Sequence, residues 1–319
     1  MSPTMSPTIY NINKAILKEK MAAFDYDWTI VNPKSGKQKG LSIVDKIRPI
    51  FESNGISLSI LETKYQGEAK ETLQTMDFNS IRAILVVGGD GTLNEVVNGM
   101  LNRRDNLKLP IGIIPAGSGN SFSADLKMFD PIQAVNNICT FNTKFVDVLE
   151  LEMEHEMNFA INLVGWGLVK DVGLRAEKLR WLGPIRYTLS AIIEIFLNQG
   201  QRSELIINGK KFFGTYTFII GCNSIHVGNG MKMAPNAKLN DGLLDLVIVE
   251  GNISKSRLLS VMPQLFKGTH VREKEVEYLQ VKSFSIYPSY DELLNIDGEM
   301  LGTTPIKVTV QPRAIEIFV

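Results

Sequence analysis

Asp90 lies within the sequence Gly88-Gly89-Asp90-Gly91, and these residue types at this spacing favour phosphate chemistry. Glycines let a ligand approach the main chain closely, and a helix beginning here would direct free N–H groups and its positive dipole end at an anion. A carboxylate in such a site would repel phosphate unless it held a metal ion or accepted a proton from a nucleophile. The alternative is an ordinary tight turn with a capping aspartate.

The residues around this turn predict a strand before it and a helix after it. The apolar run Ile84–Val87 is typical of a buried strand in a parallel sheet. After the turn, apolar residues recur at helical spacing, and Thr92 is placed to cap the helix. The recurring residues are Leu93, Val96, Val97 and Met100.

Three further strand–loop–helix units are predicted in the same part of the chain. Their strands are Trp28–Val31, Leu58–Leu61 and Ile111–Ile114, followed by loops at 32–37, 62–67 and 115–120. A helix is predicted over Ser121–Met128 after the last of these loops. Such units argue for an α/β domain with an open parallel sheet, whose ligands bind at the carboxyl ends of the strands. All four loops are expected at that edge.

The character of the sequence changes near residue 145, where short strand-like segments begin to dominate. The last of these are Glu275–Ile286, Ile306–Val310 and Ala314–Val319. Asn208-Gly209 is a strong hairpin signal, and helices are expected only at Val169–Leu197, broken at Gly183-Pro184, and at Ser254–Phe266. We therefore predict a disordered tail at 1–26, a nucleotide-binding α/β domain at 27–145 and a β-sandwich domain at 146–319. A targeting or membrane-surface segment is the alternative for the tail.

Composition excludes several classes of protein. The 319 residues carry 34 basic and 34 acidic side chains, so nothing global indicates a nucleic-acid partner. Cys139 and Cys222 form neither a CxxC motif nor a zinc pattern, which fits a reducing, cytoplasmic location. No apolar run approaches the roughly 20 residues of a transmembrane helix, so membrane contact is expected to be peripheral. The three histidines are scattered and receive no role, and the oligomeric state stays open.

The loops and their order resemble the lipid kinase family of diacylglycerol, sphingosine and ceramide kinases. The resemblance covers nearly everything from Trp28 to Val319. It is carried by NPKSGK at 32–37, GGDGTLNEVVNG at 88–99, PAGSGN at 115–120, GMKMAPNAKLNDGLLD at 230–245 and DGE at 297–299. It implies an N-terminal domain like those of NAD kinase and phosphofructokinase, a C-terminal β-sandwich, and ATP in the cleft. The two common ATP motifs, GxxxxGK[ST] and GxGxxG, are absent.

The resemblance also implies an ATP site built from these loops. Its expected residues are Asn32, Pro33, Lys34, Ser35, Gly36, Thr63, Gly88, Gly89, Gly91, Thr92, Glu95, Gly117, Ser118 and Gly119. In LRWLGPIRYTLS at 179–190, Arg180 and Arg186 correspond to arginines that contact ATP phosphates, a task suited to a planar, permanently charged fork. The alternatives are a solvated helix face for Glu95 and a surface position for the two arginines.

Asp297 and Glu299 are the second pair of candidate catalytic carboxylates. In an extended segment, residues two apart point to the same side, so both could face one site and form a magnesium relay beside the triphosphate. By resemblance either Asp90 or Glu299 is the base that acts on the lipid hydroxyl, with Asp90 slightly preferred. A simple acidic turn is the alternative.

Residues 238–243 resemble a structural magnesium site. There the Asp241 carboxylate would act with the carbonyl oxygens of Lys238 and Leu243, which are the ligands a hard cation prefers. A plain turn is the alternative at this position.

The substrate prediction depends on Gly173. Sphingosine kinases carry an acid at this position, which pairs with the amine of the sphingoid base, and the nearby Asp171 corresponds to a different family position. The absence of this acid favours a neutral lipid of the diacylglycerol or ceramide type, with a sphingoid base as the alternative. An NAD or sugar-phosphate kinase and a nucleotide-binding regulator without turnover also stay open.

Overall fold

The computed structural model describes residues 26–154, 156–182, 185–197, 200–228 and 230–319. Residues 1–25 of the predicted tail, His155 and the predicted break at Gly183-Pro184 lie outside the described residues.

The N-terminal half is built on a parallel sheet in the order β2-β1-β3-β4, as predicted. Its strands are β1 (Tyr26–Val31), β2 (Leu58–Glu62), β3 (Ile81–Gly88) and β4 (Ile111–Pro115). Its helices are α1 (Ser35–Gln38), α2 (Gly40–Ser53), α3 (Glu68–Thr75), α4 (Asp90–Leu101), α5 (Ser121–Asp125) and α6 (Pro131–Thr140).

Alternation along β3 explains why helices cover both faces of this sheet. Ile84 and Val86 join one core with α3, α4 and α5, whereas Leu85 and Val87 join another with α2 and α6. A strand buried on both faces has no polar side, which is why the sequence shows a continuous apolar run. The loops at the carboxyl ends of the strands are thereby fixed along one edge.

The C-terminal half consists mainly of antiparallel strands around a second core, which confirms the predicted β-sandwich class. Its strands are β5 (Thr143–Met153), β6 (Met157–Ala160), β7 (Leu163–Gly167), β8 (Gln201–Ile207), β9 (Lys210–Cys222), β10 (His226–Val227), β11 (Met231–Lys232), β12 (Leu244–Glu250), β13 (Val276–Val281), β14 (Ser283–Pro288), β15 (Leu293–Ile296), β16 (Glu299–Thr303) and β17 (Ile306–Phe318). Its helices are α7 (Leu168–Lys178), α8 (Ile185–Leu197) and α9 (Lys255–Val261), with 3₁₀ turns at Arg180–Leu182, Met262–Phe266 and His270–Arg272.

Strands β5 and β17 connect the two halves. They pair with each other over most of their length, and β17 also pairs in parallel with β4 through Ile317 and Ile111. The expected domain boundary between residues 145 and 146 falls inside β5. Because β17 pairs with β4, the last strand of the chain completes the sheet of the first half.

Several element boundaries differ from the sequence predictions. The predicted strand Glu275–Ile286 is two strands, because the chain leaves β12 after β13 and pairs with β8 and β17 from β14 onward. The two strands predicted near the C-terminus are one, β17, which carries an irregularity between Gln311 and Ile315 where Arg313 adopts a positive φ of 54°. The helix predicted over Ser121–Met128 ends at Asp125.

Candidate active site

Three of the predicted loops pack directly against one another at the edge of the parallel sheet. A Cβ built on Gly117 would lie 2.6 Å from the Cα atom of Gly89, so only glycines allow these two turns to touch. Gly36 has a φ of +53°, and a Cβ on it would lie 2.0 Å from the carbonyl oxygen of Ala116. The glycines of all three motifs therefore serve loop–loop contact as well as approach by a ligand.

Helix α4 begins at Asp90 with Gly89 as its N-cap residue, three residues before Thr92, so the prediction of Thr92 as the cap is wrong. The N–H of Leu93 donates to the carbonyl oxygen of Gly89 at 3.1 Å, which leaves the N–H groups of Asp90, Gly91 and Thr92 in the unpaired first turn. Thr92 is buried, and its Oγ1 accepts a hydrogen bond from Asn32 Nδ2 at 3.3 Å. These N–H groups are what an anion site at the helix start requires, and anion binding there stays a prediction.

The carboxylate of Asp90 braces the start of α5. Its Oδ2 accepts the N–H of Ser121 at 2.9 Å, and its Oδ1 accepts the N–H of Phe122 at 3.1 Å. A carboxylate has about four acceptor positions, so each oxygen keeps a lone pair for a proton or a metal ion. Asp90 thus has a structural contact in addition to its predicted chemical role.

The PAGSGN loop is closed by its own asparagine. The N–H of Gly117 donates to Gly88 O at 3.2 Å and to Asn120 Oδ1 at 3.0 Å, and Asn120 Nδ2 donates back to Gly117 O at 2.8 Å. The Gly117 N–H is therefore already used within the protein. Ser118 and Gly119, which are exposed, present the backbone that faces the cavity described below.

The remaining predicted nucleotide residues surround this edge. Lys34 is exposed, and its N–H donates to Asn32 Oδ1 at 3.0 Å, so the side chain of Asn32 holds both its own loop and α4. Thr63, just after β2, donates from its N–H to Val31 O at 2.9 Å. Pro33 and Ser35, on either side of Lys34 in the chain, are partly buried.

One cavity of about 610 Å³ joins the glycine loops to an apolar interior. Its polar end is lined by Lys34, Gly36, Asp90, Ser118, Gly119 and Arg186. Its other end lies between α7, α8, α9 and the strands beneath them, where residues such as Val172, Ile195, Phe218, Val249, Leu258 and Val276 line it. A ligand that fills this cavity must therefore be charged or polar at one end and hydrocarbon at the other.

The two predicted phosphate-binding arginines lie on the segment that flanks this cavity. Arg186, in the first turn of α8, is partly buried and lines the cavity together with Asp90. Arg180 lies in the 3₁₀ turn before it, and its side chain is outside the described part of the chain. The roles of both arginines stay predictions.

Asp297 and Glu299 do not share the extended segment that the spacing argument assumed, so that argument is wrong. Asp297 and Gly298 have φ values of 52° and 94° and form the two-residue turn between β15 and β16, in which Ile296 pairs with Glu299. Two positive φ values in succession define the hairpin turn that Asp-Gly favours. The turn directs the two carboxylates to different partners.

The carboxylate of Asp297 is fully occupied by four N–H donors. Oδ1 accepts from the backbone of Asn162 and Leu163 at 2.7 and 2.9 Å, and Oδ2 accepts from Ile161 N and Asn94 Nδ2 at 2.8 and 2.7 Å. Burial raises the pKa of Asp297 to about 6, although these donors act in the opposite direction. Because Asn94 belongs to α4, this carboxylate ties the β-sandwich to the nucleotide-binding half.

Glu299 lies on the other side of the turn, beside the GGDG motif. Its Oε1 would lie 3.7 Å from a Cβ built on Gly91, and its side chain makes no hydrogen bond with the described residues. Burial raises the pKa of the neighbouring Glu95, against the effect of the N–H groups of Gly67 and Ala69 and with a contribution from Glu299. Glu95 therefore faces the start of α3 rather than a solvated surface.

These contacts indicate which carboxylates suit a magnesium ion at the reaction centre. Asp297 has no acceptor position left, whereas Glu299 and Asp90 keep free lone pairs. Among the described residues, no three His, Cys, Asp or Glu side chains cluster to form a ready-made metal site. Glu299 and Asp90 are thus the residues that would hold the ion, together with the phosphates.

The predicted structural magnesium site at 238–243 is a turn on the surface. Asp241 is exposed, and its Oδ1 accepts the N–H of Leu243 at 3.1 Å, while Lys238 is exposed nearby. One carboxylate oxygen of Asp241 is left for a cation, and the assignment of these three residues as ligands stays a prediction.

Gly173 and Asp171, two residues apart in α7, face different surroundings. Gly173 is buried and lines the large cavity, where a Cβ built on it would lie 3.0 Å from Asn295 Nδ2. Asp171 pairs with Lys170 at 3.2 Å and lines a separate cavity of about 180 Å³, and burial raises its pKa. Of these two residues, only Gly173 can therefore contact a molecule in the large cavity.

Two residues that line the cavity, and a third that is hydrogen-bonded to one of them, were not predicted from the sequence. Asn295 faces Gly173, its Oδ1 accepting the N–H of Gly298 at 2.9 Å. His226 lines the cavity, and its Nδ1 is hydrogen-bonded to the buried carboxylate of Asp125, whose pKa is raised by burial. No motif marks these residues, because they come from distant segments that only the fold brings together.

Comparison with known proteins places these features in two domain families. The Diacylglycerol kinase catalytic domain matches residues 28–151, and the YegS C-terminal NAD kinase beta sandwich-like domain matches residues 162–319. The "Sphingosine kinase 1" of Arabidopsis thaliana is 32% identical, covering 85% of this chain and 67% of the relative. The "Diacylglycerol kinase" of Staphylococcus carnosus (strain TM300) is 29% identical, covering 91% of this chain and 93% of the relative.

A solved structure shows the same architecture. It is described as that of a diacylglycerol kinase from Bacillus anthracis str. Sterne, with a TM-score of 0.75, 25% identity, and coverage of 92% of this chain and 97% of that one. The fold and the joined cavity define a kinase with an NAD kinase-like sandwich domain. The chain belongs to the lipid kinase family that contains the sphingosine and diacylglycerol kinases.

Proposed function

We propose that this protein transfers the γ-phosphoryl group of ATP to the hydroxyl group of a neutral lipid of the diacylglycerol or ceramide type. One observation carries the proposal, namely the continuous cavity that begins at Lys34, Asp90 and Ser118 and ends among apolar residues of α7, α8 and α9. Small soluble substrates such as NAD or a sugar phosphate have no hydrocarbon chain that such an apolar end would bind.

The polar end supplies what phosphoryl transfer requires. The first turn of α4 and the backbone of Ser118 and Gly119 offer N–H groups to phosphate oxygens, and Arg186 adds positive charge. The lipid oxygen forms a bond to the γ-phosphorus, the bond to the β–γ bridging oxygen breaks, and ADP leaves with that electron pair. The hydroxyl proton passes to Asp90, with Glu299 as the alternative acceptor. A bound Mg²⁺ would neutralise charge on the phosphates.

The preference for a neutral lipid is supported by what faces Gly173. Because Asn295 Oδ1 accepts the N–H of Gly298, its amide presents Nδ2, a donor, to this part of the cavity. A donor suits the carbonyl oxygen of an ester or amide and does not suit an ammonium group. A sphingoid base stays the second candidate, because the Arabidopsis thaliana sphingosine kinases are among the most similar sequences.

Access from a membrane surface is supported by the outer face of the helices that cover the apolar end. Trp181 is 79% exposed and Phe196 is 54% exposed, both on the segment containing α7 and α8. None of the helices described here combines the length and apolar character needed to span a bilayer. The exposed side chains of Trp181 and Phe196 support our proposal of peripheral contact through this segment, with the lipid entering beneath it.

The experiment that tests the function uses purified protein, γ-labelled ATP and mixed micelles containing one acceptor at a time. The acceptors are diacylglycerol, ceramide, sphingosine and, in solution, NAD. We expect label in the two neutral lipids, less in sphingosine and none in NAD.

Two outcomes would contradict the proposal. Labelling of NAD alone would make this a kinase of soluble substrates, and binding of ATP without transfer to any acceptor would make it a nucleotide-binding regulator. A double variant, Asp90→Asn with Glu299→Gln, lacks both candidate bases and controls for contaminating kinases, since label that persists unchanged in this folded variant does not come from this site.

A further inference from the structure

The pair formed by Asp125 and His226 borders the large cavity, whose wall includes His226. Asp125 is the last residue of α5, whose first N–H groups are held by Asp90, so one short helix spans from the reaction centre to His226. His226 and Ser121, at the two ends of that span, both line the cavity. The side chain of Asp125 is 3% exposed and that of His226 is 21% exposed.

The hydrogen bond to Asp125 determines what His226 presents to the cavity. The carboxylate accepts at His226 Nδ1, and it also accepts the backbone N–H of Ile225. With Nδ1 carrying the proton, the neutral ring has an unshared electron pair at Nε2. Nε2 makes no hydrogen bond with the described residues, so the ring offers an acceptor to a ligand.

The backbone that carries His226 is held in place. The buried Asn223 donates from Nδ2 to Asp147 O and to Ile161 O, both at 2.9 Å, and Ser224 Oγ donates to Asn162 Oδ1 at 2.8 Å. His226 itself pairs with Lys232 across the β10–β11 hairpin. A fixed backbone and a fixed ring make Nε2 an acceptor in a defined place, which is what discrimination between ligands requires.

We propose that His226, positioned by Asp125, accepts a hydrogen bond from a second donor group of the lipid head, and thereby selects ceramide-type acceptors over diacylglycerol. The inference rests on the proposed function and names its substrate class. In ceramide, an amide N–H and a secondary hydroxyl flank the hydroxyl that is phosphorylated. In diacylglycerol, the neighbouring groups are esters, which only accept hydrogen bonds, and they would leave Nε2 desolvated without a donor.

Asn295 and His226 then recognise complementary parts of one head group. The donor at Asn295 Nδ2 suits the acyl carbonyl oxygen of either lipid, whereas the acceptor at His226 Nε2 suits only a lipid with an N–H or a second hydroxyl. His226 is a specificity residue in this scheme, and Asp125 is a positioning residue.

The test compares kcat/KM for short-chain ceramide, for the same ceramide methylated at its amide nitrogen and secondary hydroxyl, and for short-chain diacylglycerol. The wild-type protein should prefer unmodified ceramide over both other lipids by about 10-fold, since a desolvated polar group left without a partner has a cost of that order. His226→Leu should remove this preference, and His226→Gln, which keeps an acceptor oxygen, should retain part of it. Asp125→Asn should weaken it while leaving the KM for ATP unchanged.

A purely structural role for His226 would lower kcat/KM for all three lipids equally, and that result would overturn the inference. Equal use of ceramide and diacylglycerol by the wild-type protein would also overturn it, while leaving the proposed lipid kinase activity intact. If no lipid is phosphorylated, the proposed function fails. Binding of the two ceramides, measured without ATP on wild-type protein and His226→Leu, then still decides whether the contact exists.

Discussion

Replacing Gly173 by aspartate should convert the lipid preference of this enzyme toward a cationic head group. A Cβ at this position would lie 2.5 Å from Met300 Cε and 3.0 Å from Asn295 Nδ2. The methionine terminus is flexible and can move, and the amide nitrogen can donate to the new carboxylate. The aspartate should therefore fit at the cavity wall within α7, where glycine is in any case a poor helix former.

The expected magnitude follows from the burial of this position. An ion pair between the new carboxylate and the ammonium group of sphingosine, in a partly dry cavity, should contribute about 1–2 kcal/mol, or roughly 5–30-fold in kcat/KM. Beside ceramide or diacylglycerol the same carboxylate would be a buried charge without an opposite charge to pair with, and both neutral lipids should become poorer acceptors. The ratio of kcat/KM for sphingosine to kcat/KM for a neutral lipid should thus change by a larger factor than either value does alone.

The assay measures kcat/KM for the three lipids on wild-type protein, Gly173→Asp and Gly173→Asn. The asparagine variant has nearly the same shape without the charge, so it separates electrostatics from steric effects on α7. The reasoning is refuted if the wild-type protein already prefers sphingosine, or if Gly173→Asn shifts the ratio as far as Gly173→Asp.

Four other substitutions follow from the site. Asp90→Asn should lower turnover by roughly 10²-fold or more, and an unchanged kcat would leave Glu299 as the base. This variant should also have a lower melting temperature, because one of the two N–H groups now bound by the carboxylate would face an amide donor instead of an acceptor. Arg186→Ala and Arg180→Ala should raise the KM for ATP and slow transfer, whereas wild-type ATP kinetics in both would place the arginines outside the site. Asp297→Ala should reduce the free energy of unfolding by about 3 kcal/mol or more, because four N–H donors lose their acceptor; a loss below about 1 kcal/mol in urea titrations would refute the clamp.

The N-terminal half could be predicted from sequence because its strands, turns and helices each have a distinct residue pattern. The apolar run before Gly88 and the helical spacing after it identified both elements, and the common edge of a parallel sheet placed the loops together. The start of α4 was missed because Thr92 has the residue type of a cap, whereas the observed helix begins at Asp90 and Thr92 is held by Asn32.

The contacts of Asp297, Asp125 and His226 could not be predicted from sequence patterns. Asp297 looks like a catalytic acid in DGE, yet its partners come from residues 94 and 161–163, and the local sequence carries no sign of them. Asp125 and His226 lie 101 positions apart and meet only because α5 packs beside the β10–β11 hairpin. Side-chain pairs of this kind depend on tertiary packing and not on local propensity.

The most direct test of a shared ATP and lipid cavity is the dependence of kcat/KM on acyl chain length, measured with neutral acceptors kept below their micellar concentration. Each methylene buried at the apolar end contributes about 0.8 kcal/mol, so kcat/KM should rise roughly 4-fold per carbon until the cavity is filled, at constant KM for ATP. If glycerol or a very short acyl chain is phosphorylated as efficiently as a long one, the apolar end does not bind the substrate, and the lipid kinase assignment of this cavity is contradicted.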